Sequence, residues 1–186
     1  MEINSKEWWE NEFKNNWRVG IDGVEQTRYF MKRILEIVKF SENTSVLDWG
    51  CAMGQGVDEL NKIGIHAEGY DFAEKAINTA KEMYPEYDFH ATTPNKQYDA
   101  VISSNCFEHF IDPIFWLKEV FKLSKKYVII MTPYNQIPNL IHPSTITEKT
   151  FPEEMDGFKI LTIRIVPTKE VFYDGGDQIL FIYEKS

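Results

Sequence analysis

The stretch from Val46 to Leu60, VLDWGCAMGQGVDEL, constrains this chain more than any other. It opens on a short apolar run, Ser45-Val46-Leu47, that suits a buried strand and ends on Asp48. The segment Gly50-Cys51-Ala52-Met53-Gly54 follows, with small residues at three alternate positions. Val57, Leu60 and Ile63 then recur at helical spacing up to Gly64, a helix stop. Strand, small-residue turn and helix together let a ligand approach the backbone, because glycine has no Cβ to obstruct it. A dinucleotide fingerprint would read Gly-x-Gly-x-x-Gly. From Gly50 this chain reads Gly-x-Ala-x-x-Gln and fails at two of those positions. A carboxylate at the strand end would also repel a pyrophosphate, whereas it tolerates a cationic ligand. An ordinary glycine-rich turn is the plainer alternative.

Composition narrows the class. At 186 residues with 43% hydrophobic and 15% aromatic content, the expectation is one packed domain, residues 1–186, and not a disordered chain. The net charge of -9 argues against a surface for the phosphate backbone, so no nucleic-acid partner is expected. Two cysteines, Cys51 and Cys106, are too few for a disulfide scaffold and read as reduced thiols, not as metal ligands; no metal is expected. The N-terminus lacks a basic-then-apolar signal design, and no apolar run is long enough to span a bilayer. A cytoplasmic protein with no membrane partner is the expectation.

Taken in order, residues Ser5 to Trp17 read as a helix with Trp9, Phe13 and Trp17 on one face. That stripe either packs on the domain or also covers a ligand mouth. Arg18 and Gly20-Ile21-Asp22-Gly23 read as a turn, with Arg18 a candidate partner for a ligand carboxylate. Val24 to Lys39 is an amphipathic helix; Gln26, Thr27 and Arg28 on its first turns either reach a nearby site or, as polar residues on a helix usually do, face water. Ile65 to Asp71 is a second strand closing on an acid about twenty residues beyond Gly50, the spacing at which a carboxylate accepts both ribose hydroxyls. A helix start is the other role for Asp71. A small-residue helix ends at Pro85. Tyr87 to His90, Tyr98 to Ser104 and Tyr127 to Met131 are further strands, with a helix from Pro113 to Ser124. Strands alternating with helices imply a parallel sheet with right-handed crossovers. The tail differs: Lys159 to Val166 and Gln178 to Tyr183 alternate around Asp174-Gly175-Gly176-Asp177, a hairpin signal.

These pieces resemble the class I S-adenosylmethionine-dependent methyltransferases, whose turn is acidic-x-Gly-x-Gly-x-Gly and stands here as Asp48-Trp49-Gly50-Cys51-Ala52-Met53-Gly54, with Ala for the middle Gly. The resemblance covers nearly the whole chain and includes YDAVISSNCFEHF, where an Asp opens the fourth strand and a Glu-His pair follows it. It implies an α/β, doubly wound, mostly parallel seven-stranded sheet of order 3-2-1-4-5-7-6. To this are added a C-terminal antiparallel hairpin and an N-terminal helix. Residues 1–40 would be N-terminal helices, 45–132 the cofactor core, 133–157 an acceptor loop and 158–186 the hairpin. The cofactor implied is S-adenosyl-L-methionine, with S-adenosyl-L-homocysteine as product. By resemblance Asp48, Gly50, Cys51, Ala52 and Gly54 lie along its methionine moiety and Asp71 on the ribose. Phe72 then flanks the adenine, Thr92 sits where relatives read the adenine amine with an acid, and Asn105 lies after the fourth strand. The absent acid at Thr92 and Thr93 leaves adenine recognition to backbone groups. Leu123-Ser124-Lys125-Lys126 replaces a usual glycine-rich turn.

The reaction implied is methyl transfer to a hydroxyl or amine of a small molecule or glycan. His109 is the candidate general base and His142 the second, since imidazole titrates near neutral pH. A structural histidine is the plain alternative for each. Glu108 would point elsewhere if its segment is extended. Tyr134, Asn135, Ile137, His142 and Phe151 are candidates to line the acceptor site, completed or not by a second copy, so monomer or homodimer stays open. A protein or nucleic-acid methyltransferase, a non-catalytic cofactor-binding subunit and an NAD-dependent oxidoreductase remain alternatives.

Overall fold

The computed structural model describes residues 1–15, 21–41, 43–168 and 176–186. Trp17, Arg18, Gly20, Asp174 and Gly175 lie outside the described residues. Eight strands form one sheet of order β3-β2-β1-β4-β5-β8-β7-β6. They are β1 (Ser45–Trp49), β2 (His66–Tyr70), β3 (Phe89–His90), β4 (Tyr98–Ser104), β5 (Ser124–Pro133), β6 (Glu154–Met155), β7 (Phe158–Val166) and β8 (Gln178–Lys185). The eighth strand relative to the expected seven is the two-residue β6, which turns back on β7 through Asp156 and Gly157, both at positive φ. Without it the order is the one the resemblance implied. The described residues form two compact units, Met1–Asn95 and Lys96–Ser186.

In the first unit β1 pairs parallel with β2, and β2 with β3. Three helices join α1 (Lys6–Lys14) to this frame: α2 (Ile21–Ile37), α3 (Gln55–Lys62) and α4 (Glu74–Met83). The helix α2 starts at Ile21, so Ile21-Asp22-Gly23 belongs to it and not to a turn. Met31 and Ile34 of α2, Val46 and Leu47 of β1, Val57 and Leu60 of α3, and Ile77 and Ala80 of α4 are all buried, as their spacing dictates. Arg28 is engaged within the first unit. Its guanidinium binds Asp58 and Glu59 of α3 and donates to the Tyr84 hydroxyl at 2.9 Å, fastening α2 to its neighbours.

In the second unit β4 and β5 are parallel, whereas β5, β8 and β7 are antiparallel. The connecting helix α5 (Pro113–Lys122) begins with Asp112 capping Phe115 N at 2.9 Å and proline in its first turn, the arrangement that best satisfies an open helix end. Ser124 Oγ donates to Tyr127 O, so β5 begins three residues before the expected Tyr127 and no glycine-rich turn is needed. Phe151 is a core residue and not an acceptor-site wall. It is wedged edge-on between Phe107, at 5.6 Å, and Phe181, at 5.0 Å.

Candidate active site

In the first unit the turn between β1 and α3 is held in shape by its own backbone. Gly50 N and Cys51 N both donate to Tyr70 O, at 2.8 and 3.0 Å, and Gly54 N donates to Cys51 O at 2.9 Å. Gly50, Ala52 and Gly54 all take positive φ, of 80°, 48° and 85°. Left-handed backbone is cheap for glycine and costs an alanine about 1 kcal/mol or more. Gly54 is needed for space as well, since a Cβ there would stand 2.7 Å from the Phe89 ring. Gly56 has the same role beneath Asp48: a side-chain carbon would collide with Asp48 Oδ2 and with Met31 Cε. Asp48 therefore packs closely against Gly56 in the first turn of α3. Cys51 is buried, its sulfur facing Gly69 of β2, and acts as packing.

Asp71 follows β2 and lies buried, 6% exposed. Its Oδ1 accepts from Ala73 N at 2.9 Å and its Oδ2 from Ala52 N at 3.0 Å. One carboxylate thus ties the glycine turn to the start of α4. It does not cap α4; that is done from α1. Glu10 accepts from Glu74 N at 2.5 Å and from Lys75 N at 2.9 Å, and Lys6 pairs with Glu74 at 3.0 Å. Below these contacts Trp9 and Phe13 pack with Met53, Ala73 and Ala76, and Ala52 and Phe72 lie against the same cluster. The aromatic stripe of α1 is therefore seated on the glycine turn and on Phe72. Thr92 is exposed on the loop after β3, where the neighbouring Thr93 hydroxyl donates to the Tyr70 hydroxyl at 3.3 Å.

Burial pushes the Asp48 carboxyl up to about 7, with the charge of Asp71 adding to the shift. Burial likewise raises Asp71 to about 6, against the amides of Ala73 and Ala52, which favour its anion. Two buried acids reluctant to ionise form a site that a cation would complete. Beside them Gln55 Nε2 is buried without a hydrogen-bond partner among the described residues, a donor available to a ligand oxygen. Sequence reasoning missed Gln55; its place directly after the glycine turn was the available signal. The turn, the two acids and this spare amide fit a ligand bearing both an ammonium and a carboxylate.

The second unit holds the two histidines. Phe107–His109 is a turn of 3₁₀ helix and not an extended segment, so Glu108 and His109 turn inward together. Glu108, 3% exposed, accepts from the Thr132 hydroxyl at 2.8 Å, and its other oxygen lies 3.9 Å from His109 Nε2. His109 Nδ1 donates to Ile141 O at 3.0 Å and His142 Nδ1 to Gln136 Oε1 at 2.7 Å. The rings stand edge to face, 4.7 Å apart. The loop that delivers His142 is irregular yet tightly bonded. Asn139 Oδ1 accepts from Ile141 N and His142 N, both at 2.9 Å, and Ser144 Oγ donates to Phe110 O at 2.6 Å. Asn105 adopts a φ of 52°, donates its amide to Met131 O at 2.8 Å and turns the chain out of β4. His109 and His142, distant in sequence, are thus brought together, and Glu108 joins them.

A doubly wound sheet with an acidic small-residue turn after β1 and an acid after β2 defines the class I S-adenosylmethionine-dependent methyltransferase fold. A family profile described as a methyltransferase domain matches residues 24–156, and the chain belongs to that family. S-adenosylmethionine is the methyl donor of the family, as the sequence led one to expect. The ubiquinone biosynthesis O-methyltransferase of Pelagibacter ubique (strain HTCC1062) is 26% identical over 137 residues, 66% of this chain and 57% of that protein. That of Hydrogenovibrio crunogenus (strain DSM 25203 / XCL-2) is 27% identical over 143 residues, 62% of this chain and 59% of that protein. The chain spans under three fifths of the length of these curated relatives. Among solved structures, magnesium protoporphyrin IX methyltransferase from Synechocystis PCC 6803 with bound SAM is similar in fold. Its TM-score is 0.69 at 16% identity, over 99% of this chain and 98% of that one. Among the described residues no helix is long and apolar enough to cross a membrane.

Proposed function

We propose that this protein transfers a methyl group from S-adenosylmethionine to a hydroxyl of a small molecule. The cofactor supplies a methyl carbon on a cationic sulfur, activated for in-line displacement. Asp48, Gly50, Ala52 and Gly54 would bind its methionine portion, Cys51 would border it through its backbone, and Gln55 would donate to its carboxylate. Asp71 accepts from the ribose hydroxyls through lone pairs its two amide bonds leave over. Phe72 and the loop of Thr92 take the adenine, and α1 closes over the turn. By the resemblance, Asn105 after β4 is the residue that would neighbour the sulfur. Two relatives named as O-methyltransferases favour oxygen as the acceptor.

The observation that carries the acceptor assignment is the meeting of His109 and His142 beside Glu108. A neutral hydroxyl attacks a sulfonium carbon slowly, and a group that takes its proton speeds the step. Each imidazole directs Nδ1 at a carbonyl oxygen, which makes Nε2 the atom with the lone pair. An acceptor hydroxyl held at this cluster would lose its proton there as its oxygen takes the methyl carbon and the C–S bond breaks onto sulfur.

Thermal denaturation with S-adenosylhomocysteine and with NAD tests the cofactor; stabilisation by the first alone is expected. Methyl transfer from labelled S-adenosylmethionine to a panel of phenols, carboxylates, amines and sugars tests the acceptor. Labelling confined to amines or to protein would reject the hydroxyl reading. His109→Ala is expected to lower turnover at least tenfold with unchanged S-adenosylhomocysteine binding.

A further inference from the structure

We infer that Glu108, His109 and His142 form a site for one divalent cation. One oxygen of Glu108 and one nitrogen of each histidine lie within 4.8 Å of one another. Ligand atoms at about 2.0–2.2 Å from a metal ion stand roughly 3 to 3.5 Å apart, so closure needs shifts of only about 1 Å. The 3.9 Å between Glu108 Oε1 and His109 Nε2 is longer than a hydrogen bond, and the two atoms converge without bonding each other.

The surroundings carry the inference further than the three ligands do. A metal-binding histidine donates its other ring N–H to an oxygen, which fixes the tautomer and aims the lone pair. Both histidines do so here, His109 to the Ile141 carbonyl and His142 to the Gln136 amide oxygen. The carboxylate is oriented in the same manner by the Thr132 hydroxyl. All three ligand groups are thus braced by neighbours, one from the end of β5, one from the loop backbone and one from a loop side chain. Two imidazoles and a carboxylate favour a borderline cation of the Mn²⁺, Fe²⁺, Co²⁺ or Zn²⁺ kind over Mg²⁺, and three protein ligands leave positions for substrate oxygens.

The chemical consequence rests on the proposed methyl transfer to oxygen. An acceptor with two adjacent oxygens, such as vicinal hydroxyls on a ring, would chelate the ion through its open positions. Binding to the ion lowers the pKa of the hydroxyl, whose O–H bond breaks with the proton leaving to water while the electron pair stays on oxygen. With the ion bound the histidines serve as its ligands, and loss of the proton to water replaces the direct transfer to imidazole proposed for the metal-free cluster.

The test is titration of the purified protein, stripped of metal, with Co²⁺ as a spectroscopic probe. One equivalent is expected to develop visible absorption bands of a low-coordinate site. His142→Ala and Glu108→Gln are each expected to weaken Co²⁺ binding at least tenfold, while stabilisation by S-adenosylhomocysteine, for which neither residue is a proposed binding group, is retained. Absence of saturable binding by the wild-type protein at millimolar Co²⁺ overturns the site, as does undiminished binding in both variants. Should a variant fail to fold, the wild-type stoichiometry and spectrum decide. A chelator separates the two readings: turnover that persists in its presence overturns the ion and leaves methyl transfer standing, whereas turnover lost and restored by added metal supports it.

Discussion

The carboxylate of Asp71 holds the backbone amide of Ala52, nineteen residues earlier, at 3.0 Å, while its second oxygen takes the amide of Ala73. The acid after β2 is therefore part of the turn after β1. Asp71→Ala removes both bonds and the expected ribose contact together. A loss of about 1–3 kcal/mol in stability is expected, with S-adenosylhomocysteine affinity reduced by a few kcal/mol at most, the scale of charged hydrogen bonds. Chemical denaturation and titration calorimetry measure the two effects separately. Unchanged affinity would remove Asp71 from the cofactor site.

Ala52 stands at a φ of 48° where the family turn has glycine. Ala52→Gly is expected to raise stability by about 0.5–1 kcal/mol, since relief of left-handed strain exceeds the cost of the entropy that glycine adds to the unfolded chain. Urea denaturation midpoints at constant slope provide the measurement. A lower midpoint would mean that the alanine methyl, packed beside Trp9 and Phe13, contributes more than the strain costs.

Asp48 and Asp71 make the protein sensitive to pH in an unusual direction. Both native carboxyls titrate above the ordinary aspartate value near 3.8, at about 7 and about 6, because burial disfavours their charge. Between about pH 4 and 7 the native state holds protons that the unfolded state has released, so this contribution to stability falls as pH rises. It is complete below the unfolded value and lost as pH passes through the native ones. Asp48→Asn is expected to flatten the decline of stability between pH 4 and 7, read from denaturation at a series of pH values. An ammonium group beside them favours the ionised acids, so S-adenosylhomocysteine, whose amino-acid end carries one, should bind more tightly as pH rises from 5 to 7.5 and release protons as it binds. Calorimetry in buffers of different ionisation enthalpy counts those protons.

Glu10 reaches the open amides of Glu74 and Lys75 from another helix. Glu10→Ala is expected to cost about 1 kcal/mol, as the loss of a helix cap does. If α1 covers the cofactor, the same change should speed dissociation of S-adenosylhomocysteine several-fold, measured by stopped-flow tryptophan fluorescence. An unchanged dissociation rate alongside the stability loss would limit Glu10 to capping.

The sequence by itself determined the alternation of strand and helix, the parallel-then-antiparallel sheet and the acidic turn. Each of these is written in local spacing: small residues at Gly50, Ala52 and Gly54, an acid at each strand end, apolar runs of strand length. It also singled out His109 and His142, though not their meeting. What only the tertiary structure decided depends on contacts between residues far apart in the chain. Glu10 serves a helix sixty-four residues away. Arg28 is claimed by α3 and Tyr84, and Phe151 by an aromatic core. A three-residue helical turn swings Glu108 inward toward a histidine delivered by a remote loop. Periodicity reports which face of an element is apolar; it carries no information about which polar side chains two separate elements will bring within bonding distance, because that is fixed only when the whole chain has packed.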